Sequence, residues 1–144
     1  MEEQKLELTV IAILENYGQV ADFVDTELEK RDVSMGDISS IDIALDEIYA
    51  NVANYAYGDD EAGEITVRLD FTPDTSSVRM TFLDQGIPYD PLKKPDPDVT
   101  LEAEKRQIGG LGIYMVKHLM NEVTYEYRGG MNILRMRKDF AKQM

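Results

Sequence analysis

Apolar residues recur along the chain with two different periods. A spacing of three to four residues predicts helices at about Glu15–Arg31, Ile38–Tyr57 and Leu111–Leu119. Strict alternation predicts strands at Lys5–Thr9, Glu64–Phe71, Ser77–Leu83, Glu122–Tyr127 and Met131–Arg137. The order β-α-α-β-β-loop-α-β-β predicts an α/β sandwich (α+β), with helices covering one face of a mixed, mostly antiparallel sheet. The 144 residues fit one domain spanning 1–144.

The second predicted helix has the most regular pattern. Its apolar stripe, which predicts the buried face, consists of Ile41, Ala44, Leu45, Ile48, Val52 and Tyr55. Asp42, Asp46 and Tyr49 fall on the opposite side of the helix and are expected to face solvent. Asp37 is expected to cap this helix, because a short side-chain oxygen can accept a hydrogen bond from the free N–H groups of a first turn.

The pattern disappears between Gln85 and Gly110, where four of the five prolines lie. Loops of this length inside a compact domain are uncommon, and they are usually functional or disordered. A short helix at Thr100–Gln107 would suit the sequence within this segment.

Composition narrows the classes of function. The absence of cysteine excludes disulfides, thiolate metal sites and a cysteine nucleophile, and the single histidine cannot build a histidine-rich metal site. No apolar run approaches the roughly 20 residues of a membrane helix, and the N-terminus does not resemble a signal peptide. We therefore expect a cytoplasmic protein.

The net charge of −13 is distributed unevenly. All of the excess acid lies in residues 1–70, whereas residues 71–144 are nearly neutral. Such a surface disfavours nucleic acids and anionic lipids as partners. Two interpretations of the acidic half stay open: a solvated face that maintains solubility, and a docking face for a basic protein.

Three polar residues border the apolar stripe of the second helix. Glu47, Asn51 and Asn54 are spaced at i, i+4 and i+7, which places them on one side of a helix. Asparagine is a mediocre helix former, so its presence beside a core points to function or to hydrogen bonds with neighbouring loops. A carboxylate and an amide oxygen one turn apart can hold a hard cation and orient an attacking hydroxyl.

Two glycine-containing motifs lie farther along the chain. Asp84-Gln85-Gly86 follows a predicted buried strand, where the acid can accept a hydrogen bond from the amino group of a base and the glycine admits a flat ligand. Gly109-Gly110-Leu111-Gly112 enters a predicted helix, where free N–H groups favour an anion. Each motif alone is weak, because the first is typical of turns and the second of close packing against a sheet.

In this order, the three motifs resemble the ATP-binding domain shared by gyrase, heat-shock chaperone, histidine kinase and mismatch-repair ATPases (the GHKL superfamily, with the Bergerat fold). The segment 45–54 is similar to its N box, residues 84–86 to its first glycine box and residues 110–113 to its second. Residues 86–108 then correspond to the ATP lid. Within the superfamily, the chain resembles the anti-sigma factor serine/threonine kinases over nearly its whole length. The resemblance is clearest at residues 54–57, 84–91 and 110–116.

The resemblance implies a role for each matching residue. Glu47 would be the general base, Asn51 would ligate Mg²⁺ and contact the nucleotide, and Asn54 would support the phosphates. At the other end of the ligand, Asp84 would accept the adenine amino group above Gly86. The remaining nucleotide contacts would come from Gly110, Leu111 and Gly112.

One feature departs from the family pattern. These kinases often carry an arginine close before the second glycine box, whereas here the basic residue is displaced to Arg106. Arg106 would contact the γ-phosphate if the lid folds over it. The displacement puts the catalytic rate in question more than nucleotide binding.

The resemblance implies that the protein uses ATP and Mg²⁺ to phosphorylate a serine or threonine of a small antagonist protein in a partner-switching system. A sigma factor is the second implied partner, and the resemblance also implies a homodimer. Two alternatives stay open: a nucleotide-gated protein-binding module with little or no kinase activity, and a stand-alone ATPase.

Overall fold

The computed structural model describes residues 6–57, 63–93 and 111–141. Its elements are β1 (Leu6–Ile11), α1 (Tyr17–Glu29), α2 (Met35–Tyr55), β2 (Glu64–Phe71), β3 (Ser77–Asp84), α3 (Leu111–Leu119), β4 (Glu122–Arg128) and β5 (Met131–Asp139). Short 3₁₀ turns lie at Leu14–Asn16 and Pro91–Lys93. The predicted element order is confirmed, and the predicted short helix at Thr100–Gln107 lies outside the described residues.

The five strands form one sheet in the order β1-β2-β3-β5-β4. All four neighbouring pairs are antiparallel, so the sheet is not mixed within the described residues. The α+β class predicted from the sequence is confirmed. In register across the central strands, Val67, Phe82 and Leu134 point inward and are buried, because alternate residues of a strand face the same side of a sheet.

The helices cover one face of this sheet, with α2 packed between α1 and α3. The apolar stripe of α2 is buried from Ile41 to Ile48, as its spacing predicts. On α1, Val20, Val24 and Leu28 are fully buried against the same core. None of the helices that the structure describes combines the length and the apolar character needed to span a membrane.

Three details of α2 differ from the sequence-based expectation. Tyr49, expected in solvent, is only 1% exposed, because the chain that links β1 to α1 covers it and its hydroxyl donates to the carbonyl of Ile13 over 2.6 Å. Tyr55, expected in the core, is 54% exposed; it is the last residue of α2, and its ring lies 6.1 Å from that of Tyr89 rather than in the core. Ser34 rather than Asp37 caps the helix, with its hydroxyl oxygen accepting from the N–H of Asp37 at 3.1 Å.

Asp42 also departs from the solvent face on which it was expected. It is partly buried and faces Asp25 of α1. Burial and the neighbouring Asp25 carboxylate raise the pKa of Asp42 to about 7, because both effects disfavour its charged form. Asp46, by contrast, is exposed as expected.

Candidate functional site

A cleft with a cavity volume of about 40 Å³ opens between α2 and the inward face of β3 and β5. Its walls are mostly apolar, and polar side chains lie at its ends. The lining residues are Ile48, Asn51, Val52, Ala56, Phe82, Asp84, Ile87, Tyr89, Pro91, Asn132 and Leu134. Apolar walls with a few convergent polar groups are typical of a small-molecule site.

Asp84 lies at the last position of β3 and is 5% exposed. Its Oδ1 accepts two hydrogen bonds, from the N–H of Gly86 and from Nδ2 of Asn132, each over 2.9 Å. Burial raises the pKa of Asp84, and these two hydrogen bonds oppose that shift. Because both end on Oδ1, Oδ2 accepts no hydrogen bond from the described residues and is available to a donor in the cleft.

Asn132 of β5 is a buried polar residue that the motif analysis missed. Its Nδ2 donates to Asp84, and it also donates to the carbonyl of Ile87 at 2.9 Å. Its Oδ1 accepts from the backbone N–H of Tyr89 at 3.2 Å and from the hydroxyl of Tyr125. The signal in the sequence is an asparagine at an inward position of an otherwise apolar strand, in the same alternation as Leu134 and Met136.

The glycine of the Asp84-Gln85-Gly86 motif packs against the end of α2. A Cβ added at Gly86 would lie 2.1 Å from the carbonyl oxygen of Ala56, which also accepts from the N–H of Ile87 at 2.8 Å. Tyr57 strengthens this junction, because its hydroxyl donates to the carbonyl of Glu64 and accepts from the N–H of Gln85. The motif is therefore held rigidly to α2.

Glu47 and Asn51 lie one turn apart on α2, as their spacing predicts. Nδ2 of Asn51 donates to the Glu47 carbonyl at 2.9 Å and to its Oε1 at 3.2 Å. A Cβ added at Gly112 would lie 2.0 Å from Cδ of Glu47, so the Glu47 carboxylate sits against the first turn of α3. Asn51 lines the cleft together with Asp84, whereas Glu47 lies beside it in contact with Asn51.

The structure describes only some of the remaining residues that were predicted to form the site. Asn54 is exposed and lies outside the residues that line the cleft. Leu111 opens α3 next to Gly112. Arg106 and Gly110 lie outside the described residues, as does most of the segment that corresponds to the lid, so their roles stay predictions.

The oxygen atoms beside the cleft are suitable ligands for a magnesium ion that also binds phosphate oxygens. The described residues contain no group of three acidic or histidine side chains that would hold a metal alone. Mg²⁺, however, usually takes only one or two protein oxygens and completes its octahedron with phosphates and water. The amide oxygen of Asn51 and the carboxylate of Glu47 are oxygens of that kind.

The family model of the histidine kinase-like ATPase domain matches residues 10–138. The chain therefore belongs to the histidine kinase-like ATPase domain family, whose members are ATP-binding domains. The match contains Glu47, Asn51, Asp84 and Gly112, and it covers α2, β3 and all but the last residue of β5.

Individual relatives narrow the class further. The chain is 31% identical over 111 residues to the serine-protein kinase RsbW of Listeria monocytogenes serovar 1/2a, covering 74% of this chain and 69% of the relative. It is 32% identical over 103 residues to RsbW of Bacillus velezensis, covering 67% of this chain and 62% of the relative. The similarity thus extends to a group of proteins named as serine kinases.

A solved structure shares the fold. The crystal structure of the RsbU and RsbW domains of Rv1364c from Mycobacterium tuberculosis superimposes with a TM-score of 0.69 at 19% identity. The superposition covers 98% of this chain and 34% of that chain. At this identity the likeness concerns the fold, and it matches the α+β architecture described above.

Proposed function

We propose that this protein is a serine/threonine protein kinase that transfers the γ-phosphoryl group of ATP to a small antagonist protein. The observation that carries the proposal is the Glu47–Asn51 pair, hydrogen-bonded at 3.2 Å, packed against Gly112 of α3 and adjacent to a cleft that ends at Asp84. The similarity to proteins named as serine-protein kinases supports the same reaction.

The cleft is suited to the adenine base of ATP. Its apolar walls, such as Ile48, Phe82 and Leu134, can pack against a flat ring. Oδ2 of Asp84 can accept a hydrogen bond from the exocyclic amino group, since Oδ1 is already occupied. We therefore place the base at the Asp84 end of the cleft.

The phosphates would extend toward Glu47 and the first turn of α3. Backbone N–H groups at the start of that helix favour negative charge, and Gly112 brings the backbone close. Asn51 would hold Mg²⁺ through its amide oxygen, and the ion, when bound, neutralises charge on the phosphates. Asn54, Gly110, Leu111 and Arg106 are the further contacts that this proposal assigns to the phosphates.

Glu47 would act on the acceptor hydroxyl. The serine oxygen forms a bond to the γ-phosphorus, the bond from that phosphorus to the ADP oxygen breaks, and the hydroxyl proton passes to Glu47. Because Oε1 accepts from Asn51 at 3.2 Å, Oε2 is the oxygen available for that proton. Phosphoryl transfer depends mainly on positioning and charge neutralisation, so this short set of groups is sufficient in outline.

The partners belong to the same proposal. The antagonist protein would be the phosphate acceptor, and a sigma factor would be the protein that the kinase binds and releases in a partner-switching cycle. A homodimer and a cytoplasmic location complete this model. The acidic charge of the first 70 residues supports a partner with a basic surface.

The test is transfer of label from [γ-³²P]ATP to the purified antagonist. We expect Glu47→Gln to reduce the transfer rate by about 10²–10⁴-fold, because it removes a general base without changing side-chain size. Asp46→Asn is the matched control, since it makes the same chemical change at the next residue, on an exposed side chain. This control should transfer label at the wild-type rate.

The other outcomes distinguish the alternatives. Phosphate release without labelled antagonist would indicate a stand-alone ATPase. ATP binding that changes partner affinity without any product would indicate a nucleotide-gated binding module. An unchanged transfer rate in Glu47→Gln would contradict the role of Glu47.

A further inference from the structure

The amide of Asn132 is held in one orientation by groups from three segments of the chain. On its oxygen side, Oδ1 accepts from the hydroxyl of Tyr125 on β4 and from the backbone N–H of Tyr89 at 3.2 Å. On its nitrogen side, Nδ2 donates to Oδ1 of Asp84 and to the carbonyl of Ile87, each at 2.9 Å. Donors face its oxygen and acceptors face its nitrogen, so the network is consistent throughout.

Reversing this amide would be costly. The Asn132 oxygen would then face the Asp84 carboxylate oxygen and the Ile87 carbonyl, and its NH₂ group would face the N–H of Tyr89. Each of these pairs is acceptor against acceptor or donor against donor, and unmet polar groups at a buried position are expensive. The Tyr125 hydroxyl accepts from the N–H of Tyr89 at 3.2 Å, so its own proton is directed to the Asn132 oxygen. It thereby helps to hold the amide in the orientation that serves Asp84.

The orientation of Asn132 determines which Asp84 oxygen faces the cleft. The Nδ2 group and the N–H of Gly86 both engage Oδ1 at 2.9 Å. Two donors on one oxygen fix the rotation of the carboxylate, and Oδ2 is left as a bare acceptor at the end of the cleft. Tyr125 thus acts on the binding surface through Asn132, without lining the cleft itself.

We propose that Tyr125 and Asn132 are positioning residues that set a preference for adenine over guanine nucleotides, an inference that rests on the proposed function. Adenine presents an amino group where guanine presents a carbonyl oxygen. A fixed, bare carboxylate oxygen accepts from the amino group and repels the carbonyl oxygen. If the carboxylate is free to rotate, this discrimination weakens, because the Oδ2 acceptor is no longer held toward the amino group.

The experiment measures equilibrium binding of ATP and of GTP, each with Mg²⁺, by calorimetric titration of the full chain. Tyr125→Phe removes only the hydroxyl. Tyr127→Phe is the matched control, since this tyrosine lies on the same strand, is 46% exposed, and its hydroxyl makes no hydrogen bond with the described residues. Asn132→Asp keeps an acceptor oxygen for Tyr125 and Tyr89 but, as a carboxylate, cannot donate to Asp84.

We expect Tyr125→Phe to weaken ATP binding by about tenfold, as for loss of a partner from a buried polar group, with little change for GTP. The ratio of ATP to GTP affinity then falls by the same factor, while kcat at saturating ATP stays at the wild-type value. Asn132→Asp should weaken ATP binding further, because it places two carboxylates together. Tyr127→Phe should leave the ratio unchanged.

The ratio of affinities separates positioning from general stability. An unchanged ratio in Tyr125→Phe would overturn the inference, as would an equal loss of ATP and GTP binding accompanied by a lower Tm. A wild-type protein that binds ATP and GTP equally would also overturn it, while leaving the proposed kinase standing. A wild-type protein that binds no ATP would overturn the proposed function as well.

Discussion

At the Asp84 end of the cleft, buried polar side chains form hydrogen bonds with one another without a ligand. Asp84, Asn132, Tyr125 and the backbone of residues 86–89 form one hydrogen-bonded network. At the Glu47 end, the described residues supply a carboxylate, an amide and the first turn of α3, with a single side-chain hydrogen bond between Glu47 and Asn51. Arg106 and Gly110, which were predicted to complete this second end, lie outside the described residues.

This difference suggests a division of roles. A prebuilt network of hydrogen bonds favours selectivity, since a ligand that mismatches it leaves buried groups unpaired. A partly exposed carboxylate beside a helix terminus favours chemistry, since it can reach an acceptor brought by another protein. We therefore expect changes at the Asp84 end to alter affinity and changes at the Glu47 end to alter rate.

The largest expected effect on affinity comes from Asp84→Asn. The amide keeps the size of the side chain but offers only one acceptor oxygen, so either the internal hydrogen bonds or the contact with adenine is lost. We expect ATP affinity to fall by about 100-fold, in line with loss of a charge-assisted hydrogen bond at a buried site. Titration calorimetry checks this, with Asp70→Asn on the exposed side of β2 as control.

Substitution of one glycine at each end of the cleft is expected to have effects of intermediate size, and the two effects should differ in kind. Gly86→Ala would place a methyl group 2.1 Å from the backbone oxygen of Ala56, which cannot move away cheaply. We expect a loss of about 2 kcal/mol in the free energy of unfolding, as for overpacking, together with weaker ATP binding. Urea denaturation and calorimetry measure the two quantities.

Gly112→Ala is the counterpart at the other end. Its methyl group would meet the flexible end of Glu47, which can swing aside, so stability should be nearly unchanged. We expect the transfer rate to fall about tenfold, because the base is displaced from its position. A large loss of stability in Gly112→Ala, or a normal rate with Glu47 displaced, would contradict this view of the Glu47 end.

The smallest expected effect lies away from the cleft, at the Asp25–Asp42 pair between α1 and α2. The raised pKa of Asp42, about 7, means that the folded protein holds a proton that the unfolded chain releases above about pH 4. The free energy of unfolding should therefore fall as pH rises from about 4 to 7, and it should level off above that range.

Asp42→Asn should reduce this pH dependence and stabilise the protein at pH 8. We expect about 1 kcal/mol, after allowing for the screening of a partly solvated pair. Urea denaturation at pH 5 and pH 8 measures the change. ATP affinity and transfer rate should stay at wild-type values, so this variant also shows that effects at the two cleft ends are not effects of stability.

Much of this organisation can be predicted from the sequence, because periodicity and local motifs are local properties. The order of the elements follows from alternation and helical spacing, and the Glu47–Asn51 pair follows from its i, i+4 relation. The sides of α2 were predicted less well. Whether Tyr49 or Tyr55 is covered depends on which neighbouring segment passes over the helix, and a helical pattern does not contain that information.

The hydrogen-bonded network around Asp84 shows a second limit of prediction from the sequence. Asn132 lies 48 residues beyond Asp84, and the two meet only because β5 inserts between β3 and β4 in the sheet. A motif search along the chain does not join them. The inward position of an asparagine among apolar residues of β5 was the available signal, and it acquires its meaning only from the strand register.

The two ends of the cleft are expected to separate ATP affinity from phosphoryl transfer. The most direct test measures, side by side, the Kd for ATP and the single-turnover rate of label transfer to the antagonist in Asp84→Asn and Glu47→Gln. We expect weak ATP binding in Asp84→Asn. In Glu47→Gln we expect a Kd within about threefold of wild type and a transfer rate reduced by at least about 100-fold. Loss of ATP binding in Glu47→Gln, or wild-type affinity in Asp84→Asn, would contradict this separation.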